Sequence, residues 1–255
     1  MNKKVKYLDI LFPFIALGII LALWAIVAKI SGSEIIFPKL SSTIKALFNL
    51  LKEKTFYLSV SNTLLRVLIS FAISFAFATA LAIISALLRH VGQVVSIMTS
   101  IMRAVPTMSI ILLALIWLST FNAPMLVAIL VIFPLQYAGI LNAILNVDPK
   151  LIEMANIYNV PISKQIMKLY FPETRAAVFS TVKSTISLNV KLIIAAEVMA
   201  QTRDSMGRQM QQASMYIEMP TLLAWTIVAV VLGLILEGLV KLVELAIKKG
   251  GARWN

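Results

Sequence analysis

Apolar residues run through this chain in blocks too long for the helices of a soluble core. Residues 9–29, 63–88, 94–118, 124–146, 174–200 and 220–244 are predominantly apolar, and each is long enough to cross a hydrocarbon layer about 30 Å thick as a helix. The pattern predicts six spans. The third and fourth are the least separated: the 44 residues from Ala104 to Val147 hold no charged side chain, and the one break is Ser119-Thr120-Phe121-Asn122-Ala123-Pro124, a turn composition. The second block is long enough to tilt. It carries two ladders of small residues at four-residue spacing, Ala72/Ala76/Ala80 and Ser70/Ser74/Ala78/Ala82, either of which allows close backbone approach.

Between the first two blocks, residues 31–60 mix charges with Ile44, Leu47, Phe48 and Leu51 at helical spacing. This predicts a short amphipathic helix at the membrane surface, capped by Ser41 or Ser42. Met206, Met210, Ala213 and Ile217 form a similar stripe in the polar segment after the fifth block, predicting a short helix at the outer mouth.

The segment 148–172 is more structured than a plain connection. Asp148-Pro149 opens a helix, because the carboxylate accepts a first-turn N–H and proline loses nothing at the first helical position. Leu151, Met154, Ala155 and Tyr158 share one apolar face. Asn159 tolerates the left-handed conformation that ends a helix, and Pro161 prevents continuation. The signals predict a helix of about ten residues, then a second segment, 163–171, ending at Phe171-Pro172 where the fifth span begins. An exposed apolar stripe in water predicts a covering partner, or a surface of the chain itself. The alternative is that the helix lies in the lipid headgroup layer.

Composition agrees with a lipid solvent. Apolar residues make up 60% and charged residues 13% of the 255 positions, and mean hydropathy is +0.92. A water-soluble domain of this size could not bury so much apolar surface. The first block is too long for a secretory signal and lacks a small-x-small cleavage site, so it is kept as a span. There is no cysteine and one histidine, His90, at a helix end. Thiolate metal sites, disulfides and His-dependent triads therefore do not fit.

The net charge of +12 does not point to nucleic acid, because the basic residues flank the apolar blocks. With both termini on the cytoplasmic side, the inner segments, including Lys3, Lys4, Lys6, Lys249 and Arg253, hold thirteen basic residues and the outer ones seven. That bias favours both ends inside.

Charge at membrane depth needs protein, water or headgroups around it. Arg66 and Lys183 lie near span ends and can snorkel. Arg103 lies within the third block. Lys191 lies some seventeen residues into the fifth; it either lines a cavity and attracts an anionic or polar solute, or pairs with Glu197 or a residue of a neighbouring span. Six positions on one helix correspond to about 240° of rotation, which places Lys191 and Glu197 poorly for a direct pair. Glu197 sits near the outer end of its span, suited to an external gate or to plain interfacial packing.

Residues 148–172 resemble the cytoplasmic loop of binding-protein-dependent ATP-binding-cassette (ABC) import permeases, whose pattern is Glu-Ala-Ala, three residues, Gly, nine residues, hydrophobic-x-Leu-Pro. Glu153 and Ala155 occupy the Glu and second Ala positions. Met154 replaces the first Ala and Asn159 the glycine, and Leu169, Phe171 and Pro172 close the pattern. Pro38, Thr63-Leu64, Arg66-Val67-Leu68, Phe71, Arg103, Pro106, Trp117, Lys183, Ala195-Ala196-Glu197 and Gly207 resemble the branch that imports sulfonates, taurine, nitrate or thiamine precursors. Ser70, Ser119 and Thr181 stand where that branch often has glycine, Leu112 replaces a frequent proline, and Val190-Lys191 replaces a tryptophan region. The resemblance covers about 38–245 of a single permease domain, 1–255.

That resemblance implies an all-α polytopic membrane protein with the type I ABC importer permease fold, about six transmembrane helices, in the bacterial cytoplasmic membrane. It implies a translocation subunit for a small anionic or polar solute, with two ATPase subunits, a second and identical permease chain, an extracytoplasmic substrate-binding protein and membrane lipid as partners. Glu153, Met154, Ala155, Tyr158 and Asn159 would form the ATPase-coupling surface; Arg103, Lys191 and Glu197 are candidates for the path or gate. No phosphate-binding Gly-x-x-x-x-Gly-Lys-[Ser/Thr] sequence occurs, so ATP and Mg are expected in the partner ATPase, with no cofactor, catalytic residue or metal in this chain. A secondary transporter or channel is the competing reading, distinguished by transport without ATP. An intramembrane enzyme lacks an evident paired acidic motif, and a non-transport scaffold leaves the intramembrane charges unexplained.

Overall fold

A computed structural model describes residues 3–251, with the side chains of Phe12, Ile15, Ala16 and 18–248. Lys3, Lys4, Lys6, Lys249 and Arg253, counted above in the charge bias, lie outside the described side chains. Regular structure among the described residues is helical: α1 (Lys3–Ser31), α2 (Leu40–Leu50), α3 (Lys54–Leu87), α4 (Arg89–Ala104), α5 (Thr107–Trp117), α6 (Ala123–Leu145), α7 (Pro149–Ile157), α8 (Ile162–Gln165), α9 (Phe171–Ala200), α10 (Met206–Met215) and α11 (Met219–Gly251).

Four described helices are long and apolar enough to cross a membrane: Lys54–Leu87, Ala123–Leu145, Ile162–Ala200 and Met219–Lys248; α4 and α5 make a fifth if counted as one broken span. The first apolar block falls in α1, whose side chains are described only in part. Three sequence expectations need correction. The block 94–118 is not one straight span, because α4 and α5 meet at 95°. Val105 and Pro106 are both extended there, with φ/ψ of −71/128° and −60/129°, since proline forces its predecessor out of the helical region. The segment 163–171 is not separate from the fifth span, because a π-helical turn at Ile166–Tyr170 carries α8 into α9. Neither Ser41 nor Ser42 caps α2: the helix starts after Lys39 with no side-chain cap, and Ser42 Oγ instead donates to Glu34 Oε1 at 2.9 Å.

Helices α3, α6, α9 and α11 make the core, and α2 packs on α11. One small-residue ladder of α3, Ser70/Ser74/Ala78/Ala82, is wholly buried, while Ala72/Ala76/Ala80 faces outward. Polar bonds then knit the buried faces. Ser74 Oγ donates to Gln136 Oε1 (2.6 Å), and Asn189 Nδ2 donates to Val67 O (2.8 Å) and Ser70 Oγ (3.1 Å). In a lipid solvent these groups have no water to turn to, so pairing across helices fixes register. The contacts run Thr63 to Glu197 and Ser70 to Asn189, so α3 and α9 are antiparallel. The bundle therefore has an α10 end and an α7 end.

Candidate functional site

At the α7 end, local signals produce the turn the sequence predicts. Asp148 accepts a hydrogen bond from Lys150 N at 2.9 Å, Pro149 starts the helix, and Asn159 is left-handed at φ +50°. Val160 N then donates back to Ala155 O at 2.9 Å, satisfying a carbonyl the helix end leaves free. Of the predicted face, Ala155 is buried and Leu151 half-buried against the chain, whereas Met154 and Tyr158 point out. Ile157, Ile162 and Met167, which the stripe did not include, are 69%, 75% and 74% exposed and extend an apolar surface beside the exposed Glu153.

At the α10 end, Glu197 of α9 is fully buried. Arg66 Nη1 donates to its Oε1 at 2.8 Å, Thr63 Oγ1 lies 3.0 Å from both carboxylate oxygens, and Gly207 N donates to Oε2 at 3.1 Å. Met206 N in turn donates to Thr63 Oγ1 at 3.0 Å. The Arg66 guanidinium also sits 4.6 Å from the centre of the Phe121 ring, a cation–π contact. One carboxylate thus ties α3 to α9 and to the first turn of α10. The residue at 207 has to be glycine: a Cβ there would lie 2.5 Å from Glu197 Cβ and 2.6 Å from Ile194 O.

The other intramembrane charges are placed differently. Arg66 does not snorkel, because Glu197 neutralises it inside the bundle. Lys183 Nζ pairs with Glu244 Oε2 at 2.6 Å, half-buried between α9 and α11. Lys191 and Arg103 are exposed, and among the described residues neither makes an ion pair. Arg103 Nε donates only to Thr99 O, at 3.3 Å. Glu197 is therefore brought together with Arg66 and not with Lys191.

The family described as "Binding-protein-dependent transport system inner membrane component" matches residues 78–249, from the last third of α3 to the last turn of α11. This chain belongs to that family. The permease fold is shared with solved importers of low sequence identity. A structure of inward-facing conformations of the MetNI methionine ABC transporter matches with a TM-score of 0.60 and 16% identity, over 76% of this chain and 98% of that one. A bacterial ABC transporter involved in the import of the acidic polysaccharide alginate matches with a TM-score of 0.61 and 14% identity, over 96% of this chain and 98% of that one. No curated protein matches the sequence. The chain is a membrane-embedded permease subunit of the ABC-importer class.

In this permease the Arg66–Glu197 pair bridges residues 131 positions apart, with Arg66 outside the family match and Glu197 inside it. Sequence reasoning named both residues without joining them. The available signal was Thr63-x-x-Arg66, which puts a hydroxyl and a cation on one helical face directed at a single acceptor. The polar bonds among Ser70, Ser74, Gln136 and Asn189 gave no comparable signal.

Proposed function

We propose that this permease imports a small anionic or polar solute, powered by two ATPase subunits that dock on the turn 148–172. ATP and Mg are held by those partners. The observation that carries the reading is the capped helix α7, whose Met154, Ile157 and Tyr158 are exposed next to Glu153. An apolar surface of that kind, on a short rigid helix, is suited to a groove on another protein. Closure of the ATPases around ATP pushes α7, tilts α9 and opens the central path toward the α10 end. Hydrolysis reverses it.

On this reading α1 is the sixth span, both termini and α7 lie on the cytoplasmic side of a bacterial inner membrane, a second identical chain completes the path, and an extracytoplasmic binding protein delivers the solute at the α10 end. Glu197 stands at that outer mouth as part of the gate. Lys191 and Arg103, cationic, exposed and without carboxylate partners among the described residues, support an anionic cargo of the sulfonate, taurine or nitrate kind. The test is reconstitution with the ATPase and binding protein. Glu153→Ala and Asn159→Pro are expected to abolish coupled ATP hydrolysis and transport while leaving membrane insertion intact. Transport that continues unchanged in both variants, or that runs on an ion gradient without ATPase subunits, overturns the reading.

A further inference from the structure

Helix α4 carries a polar stripe that the contacts described above leave unused. Arg89, Gln93, Ser96, Ser100 and Arg103 are spaced by four, three, four and three, so at 100° per residue all five fall within an arc of about 80°. Each of them is exposed. Val94, Met98 and Ile101 occupy the other side. The stripe extends about 21 Å along the axis at 1.5 Å per residue, some two thirds of a hydrocarbon layer about 30 Å thick.

Acyl chains cannot solvate two guanidinium groups, an amide and two hydroxyls, and one lipid headgroup is too short to cover a row of that length. Water does both. Part of the stripe already borders open space: Arg89, Gln93 and Ser96, with Ser85 of α3 and Leu141 and Leu145 of α6, line a groove of about 660 Å³ at the α7 end of the bundle. Farther along, α4 ends at the 95° bend, and α5 packs through Ile110, Ile111 and Ala114 against Ala123, Val127 and Ala196. Lys191 lies five residues before Ala196 on α9, about 7.5 Å toward the α7 end. Arg103 stands just before the bend where α5 begins, and the stripe leads from there to the groove.

The electrostatics are one-sided. From Lys54 to Val147 there is no Asp or Glu, and among the described residues Arg89, Arg103 and Lys191 make no ion pair. Such a wall repels cations and gives a neutral solute no advantage, while guanidinium forks separated by hydroxyl and amide groups suit an oxyanion. We propose that the α4 stripe is the wall of the exit half of the translocation path, and that it selects small solutes bearing a carboxylate, sulfonate or phosphate group. This rests on the importer reading and on α7 marking the delivery side.

The absence of cysteine permits a test that needs no knowledge of the substrate. Single variants Ser96→Cys, Ser100→Cys and, from the opposite face, Met98→Cys are placed in the assembled complex in inside-out vesicles. They are then treated with anionic sulfonatoethyl or cationic trimethylammonioethyl methanethiosulfonate. The expected result is modification at 96 and 100 but not 98, with the sulfonate reacting at least about tenfold faster than the ammonium reagent, the low end of focusing by a charged cleft. Adding Arg103→Gln should bring that ratio toward one at Ser100→Cys. Unreactive cysteines at 96 and 100 mean that lipid or a second chain covers the stripe; equal rates, or a faster cation, mean that the wall does not select oxyanions. Either result overturns the proposal. Neither touches the importer reading, which stands or falls on coupled ATP hydrolysis in the α7 variants.

Discussion

Arg66 Nη1 stands 2.8 Å from Glu197 Oε1 with both side chains withdrawn from solvent, so the halves of α3 and α9 at the α10 end are joined by a charge pair that neither helix could keep alone. Removing one partner strands the other in a medium that cannot solvate it. Glu197→Leu or Arg66→Met is therefore expected to destabilise the folded chain by about 3–5 kcal/mol. The double variant should recover much of that loss. Thermal unfolding in detergent measures it, and a double variant no more stable than either single one would exclude the pair as the cause.

The contrast is Lys183 and Glu244, whose side chains are 32% and 30% exposed. Water and headgroups can replace either partner there. Lys183→Met is expected to cost no more than about 1 kcal/mol, measured under the same unfolding conditions.

Gly207 admits no side chain. Its Cβ position lies 2.7 Å from Val198 N as well as against Glu197 and Ile194, all on the rigid face of α9. Gly207→Ala should cost about 1–3 kcal/mol through overpacking and pull Gly207 N off the Glu197 carboxylate. Proteolysis of the α9–α10 connection should accelerate measurably; unchanged stability and cleavage would mean that α10 can shift without loss.

Asn159 is left-handed at φ +50°, where glycine is at ease and a β-branched residue is not. Asn159→Gly is expected to keep full ATPase coupling. Asn159→Val should lose about 1–2 kcal/mol locally and reduce coupled hydrolysis. Equal hydrolysis rates in the two variants would show that this turn's conformation does not matter to docking.

Lys191→Met removes an exposed charge without leaving a buried partner. Assembly with the ATPase is expected to be unaltered, and uptake of an anionic solute to fall by about tenfold or more, the lower range of electrostatic steering. Unchanged uptake removes Lys191 from the path.

What the sequence made legible was local. The caps of α7 and the left-handed Asn159 follow from residues within a turn of each other, and the long apolar blocks from hydropathy alone. The bend between α4 and α5 was hidden because 94–118 reads as one predominantly apolar block, although Arg103, Thr107 and Ser109 stand close to Val105-Pro106. Proline is an uncertain marker there, since Pro134 sits inside α6 without ending it; neighbouring helices can take up the backbone groups it frees. The Glu197 site was legible as residues and illegible as geometry. Nothing near position 197 announces Arg66, which reaches it only after three helices pack. The α4 stripe went unread because its charges lie at its two ends and the residues between them are uncharged.

The 39 residues from Ile162 to Ala200 form one helix, about 58 Å long at 1.5 Å per residue, and its first hold on α3, counted from the α7 end, is Asn189 on Val67 and Ser70. That is a lever with an off-centre fulcrum. Some 27 residues lie on the side that begins beside α7 and about 11 on the side that ends beyond Glu197. If α9 turns as a rigid rod, a 5 Å swing beside α7 becomes about 2 Å at the far tip, with the force multiplied in the same proportion. The long arm is at the end where a motor would push, and the short arm is at the tightly bonded end that has to be prised open.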